Sequence, residues 1–351
     1  VVVVLLLVGG GIDRLHFYWV IVSSSLASLR RAATLNPNDS SVEMRLAQAS
    51  QAAGEGDASL AALRQAVALN PGNKGFVEAY ARGLITTGHD RDAYALYRNL
   101  LARSPHDVDS LVNYGLLAQR LGHESEAVDS WQRAVETDPM QTNAQLYLAQ
   151  ALEKRGEVQA AARHYRAYLQ IVGLHPNEHR GEGPMAISAL LKVADADAGA
   201  QHPQQALVGY RAAAQFAQRI GNVSLESLAM VRAAEALERT GEIAGAAHSF
   251  QDAVTLDESQ GEPQAAASDW FNYGQFLRRQ KQPERLVFAC FYRAEDLMST
   301  TLGQELSAIV KARQESAARL GQEAHSLPAQ LSRLLSEALS LSPSAFSANQ
   351  R

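Results

Sequence analysis

Residues 108–141 read VDSLVNYGLLAQRLGHESEAVDSWQRAVETDPMQ, and the fold turns on this stretch. Two runs of helical length flank Gly122, and Pro139 closes the second. Glycine at the inner turn supplies a backbone conformation that ends one helix and opens the next, while proline stops the second helix. The segment is therefore expected to be helix, turn, helix, turn. Gly115 and Ala127 are small enough to let the two helices approach, and Trp131 is large enough to fill the space beside the next pair.

Working outward, the same punctuation repeats. Prolines stand at Pro37, Pro71, Pro105 and Pro139 in one unbroken rhythm, and Gly54, Gly88, Gly122 and Gly156 keep the half-beat of the same series. Small residues Ala47, Ala81, Gly115 and Ala149 are expected to meet Ser59, Ala93, Ala127 and Ala161 across each hairpin. Leu63, Tyr97, Trp131 and Tyr165 hold the bulky position. A fixed period of this kind marks a stack of repeated units in which each buries its apolar side against the next.

On Leu111, Tyr114, Gly115, Gly122, Ala127, Trp131, Ala134 and Pro139 the chain resembles the tetratricopeptide repeat (TPR) family. Residues 40–73, 74–107 and 142–175 are further copies, the last delaying its proline to Pro176. The resemblance implies an all-α, right-handed superhelical solenoid of antiparallel helix pairs. It also implies a concave face lined by the first helix of each unit. Its outward positions are Arg45 and Gln48, Glu78 and Arg82, Asp109, Asn113 and Leu116, and Asn143, Tyr147 and Gln150. These form the expected partner-binding groove, suited to an extended peptide or a helix. Of the residues that the family uses to clamp acidic C-terminal tails, only Asn113 is in place.

The expected organisation has five parts. Residues 1–22 form an apolar helix, 23–176 an array with a 34-residue period, and 177–185 a hinge loop containing HRGEGP at 179–184. Residues 186–325 form a looser array with a period near 40, in which Ala206, Tyr210, Ala213 and Gly221 recur as Ala246, Phe250, Ala253 and Gly261. A capping helix is expected over 304–325. The last part, 326–351, is an amphipathic helix carrying Leu331, Leu334, Leu335 and Leu339, followed by a Ser, Ala and Asn tail.

Residues 1–22, VVVVLLLVGGGIDRLHFYWVIV, are long and apolar enough for a membrane anchor, with Phe17, Tyr18 and Trp19 suited to an interface. A cleaved signal and a helix buried against partner subunits or against the chain's own repeats are the alternatives. Asp13 and Arg14 are costly at mid-bilayer unless they lie against protein or headgroups.

Bulk composition narrows the function classes. Apolar residues are 46% and charged residues 20%, as in packed globular proteins. Net charge is −5 with no Lys/Arg stripe, which argues against nucleic acid as a partner. The single cysteine, Cys290, sits in an apolar run and reads as a small buried hydrophobe. His175 and His179 are four apart around Glu178, yet Pro176 and the glycines beyond argue for a loop rather than a metal-binding helix. No glycine loop has the strand and helix context that phosphate binding requires, and no nucleophile, histidine and acid fall in a catalytic pattern. The chain is thus expected to be no enzyme, with no metal, no cofactor and no small-molecule substrate. The expected function is a protein-interaction scaffold tethered at a membrane, its repeats on the periplasmic rather than the cytoplasmic side. The alternative is a permanently bound structural subunit of a large assembly.

Overall fold

The computed structural model describes residues 25–174, 181–298 and 304–347. Among them every regular element is helical. The chain has an all-α, TPR-like fold built from successive helix pairs. It divides into two compact units, residues 1–154 and 155–351. The sequence rhythm changes later, at the expected hinge 177–185, of which 177–180 lie outside the described residues.

The described part of the first unit has eight helices. They are α1 (Leu26–Leu35), α2 (Ser40–Ala52), α3 (Gly56–Leu69), α4 (Lys74–Thr86), α5 (Asp90–Arg103), α6 (Val108–Arg120), α7 (Glu124–Thr137) and α8 (Thr142–Lys154). Each packs on the next. At the starts of α2, α4 and α6 a short polar side chain caps the helix. Asp39 accepts from the Ser41 and Val42 amides, Asn73 from the Phe76 amide and Asp107 from the Ser110 amide. These caps keep the rhythm of the series prolines, each standing just beyond one, and satisfy amides that the helix itself leaves unpaired. At the inner turns Gly54, Gly88 and Gly122 have φ of 77°, 79° and 83°, so the turn glycines hold the left-handed backbone that their position demands.

Packing follows the small and large pattern. Leu63, Tyr97 and Trp131 are buried, as are Ala47, Ala81, Ala93 and Ala127. Ser59 Oγ donates to the Ala47 carbonyl at 2.8 Å, tying α3 to α2. Gly115, expected to face Ala127, lies directly against the indole. A Cβ there would stand 2.4 Å from Trp131 Nε1, which donates to the Val112 carbonyl at 3.3 Å. The indole occupies the gap that the missing side chain leaves.

The described part of the second unit contains α9 (Val158–Leu174), α10 (Gly183–Gly199), α11 (Pro203–Ile220), α12 (Val223–Thr240), α13 (Ile243–Gln260), α14 (Pro263–Arg279), α15 (Glu284–Met298) and α16 (Gln304–Leu320). Its helices run longer than those of the first unit, which accounts for the longer period. Left-handed residues stand at Gly181, Gln201, Gly221, Gly241, Gly261 and Lys281 in an even ladder, and again at Gly321. Two of these turns are made without glycine, so only part of the ladder is visible as glycine. Gly274 repeats the arrangement at Gly115, since a Cβ there would lie 2.7 Å from the Phe291 ring.

Two expectations about the C-terminal end are corrected. The capping helix foreseen over 304–325 stops at Leu320, because Gly321 turns left-handed with φ 59° and the chain continues as 3-10 turns at Gly321–His325 and Leu327–Gln330. The tail does not dissolve after Leu339. Beyond α17 (Leu331–Leu339), a short α18 (Pro343–Ser347) brings Phe346 to 3% exposure, its ring 5.7 Å from Phe276. Backbone carbonyls hold this end as well. Tyr273 donates to the Ala338 carbonyl at 2.6 Å and Gln282 to the Ala345 carbonyl at 3.0 Å. Cys290 is wholly buried, and burial pushes its thiol well above the ordinary value.

The anchor expectation for residues 1–22 lies outside the described residues. Among the described residues no helix is long and apolar enough to cross a membrane.

Candidate binding surface of the first unit

All ten groove positions fall on α2, α4, α6 and α8, the helices that open each pair. An open cleft of about 250 Å³ lies where α2, α3 and α4 come together. Its depth follows from small residues, since Ala47, Gly56, Ala79 and Gly83 leave room that larger side chains would take. A Cβ at Gly83 would lie 3.3 Å from Leu60 Cδ2, which shows how closely this wall approaches α3. Met44, Leu60 and Leu63 give the cleft an apolar part, while Gln48, Gln51, Arg82, Thr86 and Thr87 supply hydrogen-bonding groups. The structure thus brings Gln48 and Arg82, a full repeat apart, to one site.

A second pair of groove residues meets at a lysine. Lys74 Nζ lies 2.8 Å from Asp107 Oδ1, 2.8 Å from Asp109 Oδ2 and 3.8 Å from Glu78 Oε1. Burial works against the ammonium, but the bonds to Asp107 and Asp109 outweigh it and hold the amine well above its ordinary value. Burial would raise the Asp107 carboxyl, and the bonds from Lys74 and Ser110 reverse that and keep it below the usual carboxylate range. Asp109, with Asp107, is therefore engaged in fastening α4 to α6, while Glu78 pairs with Lys74 within α4. Sequence reading assigned Glu78 and Asp109 to partner contact and passed over Lys74, whose spacing from Asp107 signals nothing without the fold.

The remaining groove residues are spread along the unit. Arg45, Asn113 and Leu116 are half-buried, and Asn143 is exposed. Tyr147 sets its ring 5.6 Å from Trp131, and Gln150 is half-buried. None of these lines the α2–α4 cleft.

One polar cluster was not foreseen. Tyr94 and Tyr114 stack with centroids 4.7 Å apart, their hydroxyls 2.7 Å from each other. Both hydroxyls reach Glu126, the Tyr114 oxygen at 2.6 Å, and His123 stacks on Tyr94 at 5.6 Å. Burial and then the bond to Glu126 raise both phenols. The cluster fastens α5, α6 and α7.

Among the described residues no group of three or more His, Cys, Asp or Glu is placed to hold a metal ion. His175 and His179 lie outside them.

A tetratricopeptide repeat family model matches residues 115–179. Among solved structures, the chain is similar to a MamA protein at 16% identity, covering 51% of this chain and 92% of that one with a TM-score of 0.42. It is similar to YrrB, titled a TPR protein with an unusual peptide-binding site, at 17% identity over 55% and 93% with a TM-score of 0.43. PilW, titled a type IV pilus biogenesis factor, matches at 16% identity over 61% and 96% with a TM-score of 0.41. At such scores these likenesses carry no functional weight. No curated protein matches the chain.

Proposed function

We propose that this protein is a non-enzymatic interaction scaffold that holds a partner polypeptide on the face of the first unit. The observation that carries this reading is the α2–α4 cleft, where the expected groove residues Gln48 and Arg82 flank an apolar hollow. Such a hollow suits one apolar side chain of an extended segment. Arg82 is exposed and bears no ion pair among the described residues, so it is free to meet a carboxylate or carbonyl beside that side chain. Gln48, Gln51 and the two threonines can bond the segment's backbone.

The scaffold reading extends to a membrane through the apolar stretch Val1 to Val22, with the repeats on the periplasmic side.

A photo-crosslinking amino acid at Gln48 tests the site. It is expected to capture a partner, and Arg82→Glu is expected to abolish capture while Arg64→Glu, on an exposed part of α3 outside the cleft, leaves it intact. Equal capture in both variants refutes the cleft.

A further inference from the structure

In the second unit, α13, α14 and α15 enclose a cleft of about 310 Å³ whose lining includes Asp257, Glu258, Glu262 and Arg293. Asp257 has no exposed surface, and neither of its carboxylate oxygens has a hydrogen-bond partner among the described residues. Ser227 and Asp269 lie near enough to influence it, but neither closes a well-formed bond. One oxygen of Asp269, itself buried, is also unpartnered. A buried carboxylate with both acceptors unused is costly, and the cost is relieved by a retained proton, by ordered water or by pairing with a cation.

The cations nearby are already committed. Arg293 is held by Glu258 at 2.9 Å and by Asp296 at 2.9 Å, and the Trp270 indole also donates to Glu258 at 2.9 Å. Glu262 has no ion pair among the described residues and adds negative charge beside Asp257. We propose that this cleft is a binding site for a guanidinium group, an arginine side chain of a partner polypeptide, with Asp257 as its bidentate acceptor. Three features favour this ligand over a metal ion or an alkyl ammonium. Two unpartnered oxygens on one carboxylate match the guanidinium fork once the buried Asp257 side chain turns towards the cleft. Gly261, Pro263, Ala266 and Leu297 give the cleft an apolar wall able to cover an arginine stem. No three-ligand metal cluster is present among the described residues.

Without a ligand, two neighbouring buried carboxyls cannot both ionise, so the pair retains a proton. Burial first, and then the charge of Asp257, raise the Asp269 carboxyl to about 8. A bound guanidinium lets both ionise, and the retained proton passes to the buffer. Binding is therefore linked to proton release near neutral pH. The site is separate from the α2–α4 cleft and does not depend on it.

The test is calorimetry on the full chain with Nα-acetyl-arginine amide as probe, run at pH 7 in two buffers of different ionisation enthalpy. The expected results are saturable binding, a buffer-dependent heat corresponding to proton release, and affinity about tenfold or more weaker in Asp257→Asn. That variant removes a buried unpartnered charge and so is expected to fold. Nα-acetyl-lysine amide and calcium chloride serve as competing probes. Absence of binding, binding that Asp257→Asn retains, no proton release, or equal or tighter binding of either competing probe would each overturn the assignment. Capture of a partner at Gln48 can fail or succeed without altering any of these outcomes.

Discussion

Gly115→Ala isolates the feature that distinguishes the best repeat. Alanine is the better helix former by about 1 kcal/mol, so propensity alone predicts a gain. The structure predicts the opposite sign. The new methyl would stand 2.4 Å from Trp131 Nε1, and Trp131 has no exposed surface. Forcing a buried ring aside costs about 1–3 kcal/mol, and losing the indole bond to the Val112 carbonyl adds about 1 kcal/mol. The net expectation is a loss of about 1–3 kcal/mol. Gly83→Ala is the internal control, with the same propensity gain but only the flexible end of Leu60 as a close neighbour, at 3.3 Å. It is expected to be neutral or stabilising by up to about 1 kcal/mol. Urea unfolding followed by circular dichroism and tryptophan emission measures both. If Gly115→Ala is as stable as Gly83→Ala, the packing argument at Trp131 is wrong.

Other perturbations follow from the same geometry. Gln201 adopts a left-handed conformation with φ 63°, so Gln201→Gly is expected to raise stability by about 0.5–1 kcal/mol in urea melts. Lys74→Met breaks the link to Asp107 and Asp109 and is expected to cost about 1 kcal/mol at pH 7. Because Asp107 is held below its unfolded value, its part of that difference should vanish as pH falls through the folded value. Asp269 behaves in the opposite sense. Its carboxyl holds a proton more tightly folded than unfolded, so stability should fall as pH rises from about 4 towards 8, and Asp269→Asn should flatten melting curves compared across that range. Phe346→Ala removes a buried ring from the Phe276 contact and is expected to lower stability by about 3–5 kcal/mol in the same unfolding assay.

The sequence discloses the fold wherever a residue type has one structural use. Glycines and prolines alternating at an even half-repeat beat leave few options besides helical hairpins, and Leu63, Tyr97 and Trp131 are buried as their spacing implies. It conceals features that depend on which residues meet. Gln201 and Lys281 make the same turn as the glycines of their ladder, but nothing in their chemistry announces it. Asp257 and Asp269 look like ordinary solvated acids until the α13–α14 turn folds them together beneath the surface. Phe346 sits in a Ser- and Ala-rich tail with no periodic company, so only the pocket beside Phe276 reveals its use. Among the groove positions, Gln48 and Arg82 converge because the residues between them are small, while Glu78 and Asp109 are drawn aside by Lys74.

Hydrogen exchange, measured on the purified chain alone and with the polypeptide that Gln48 captures, tests the scaffold reading most directly. The account predicts slowed exchange over residues 44–51 and 79–87, the segments of α2 and α4 that border the cleft, with Arg82→Glu removing the effect. Protection confined to other helices, or unchanged by Arg82→Glu, would contradict it.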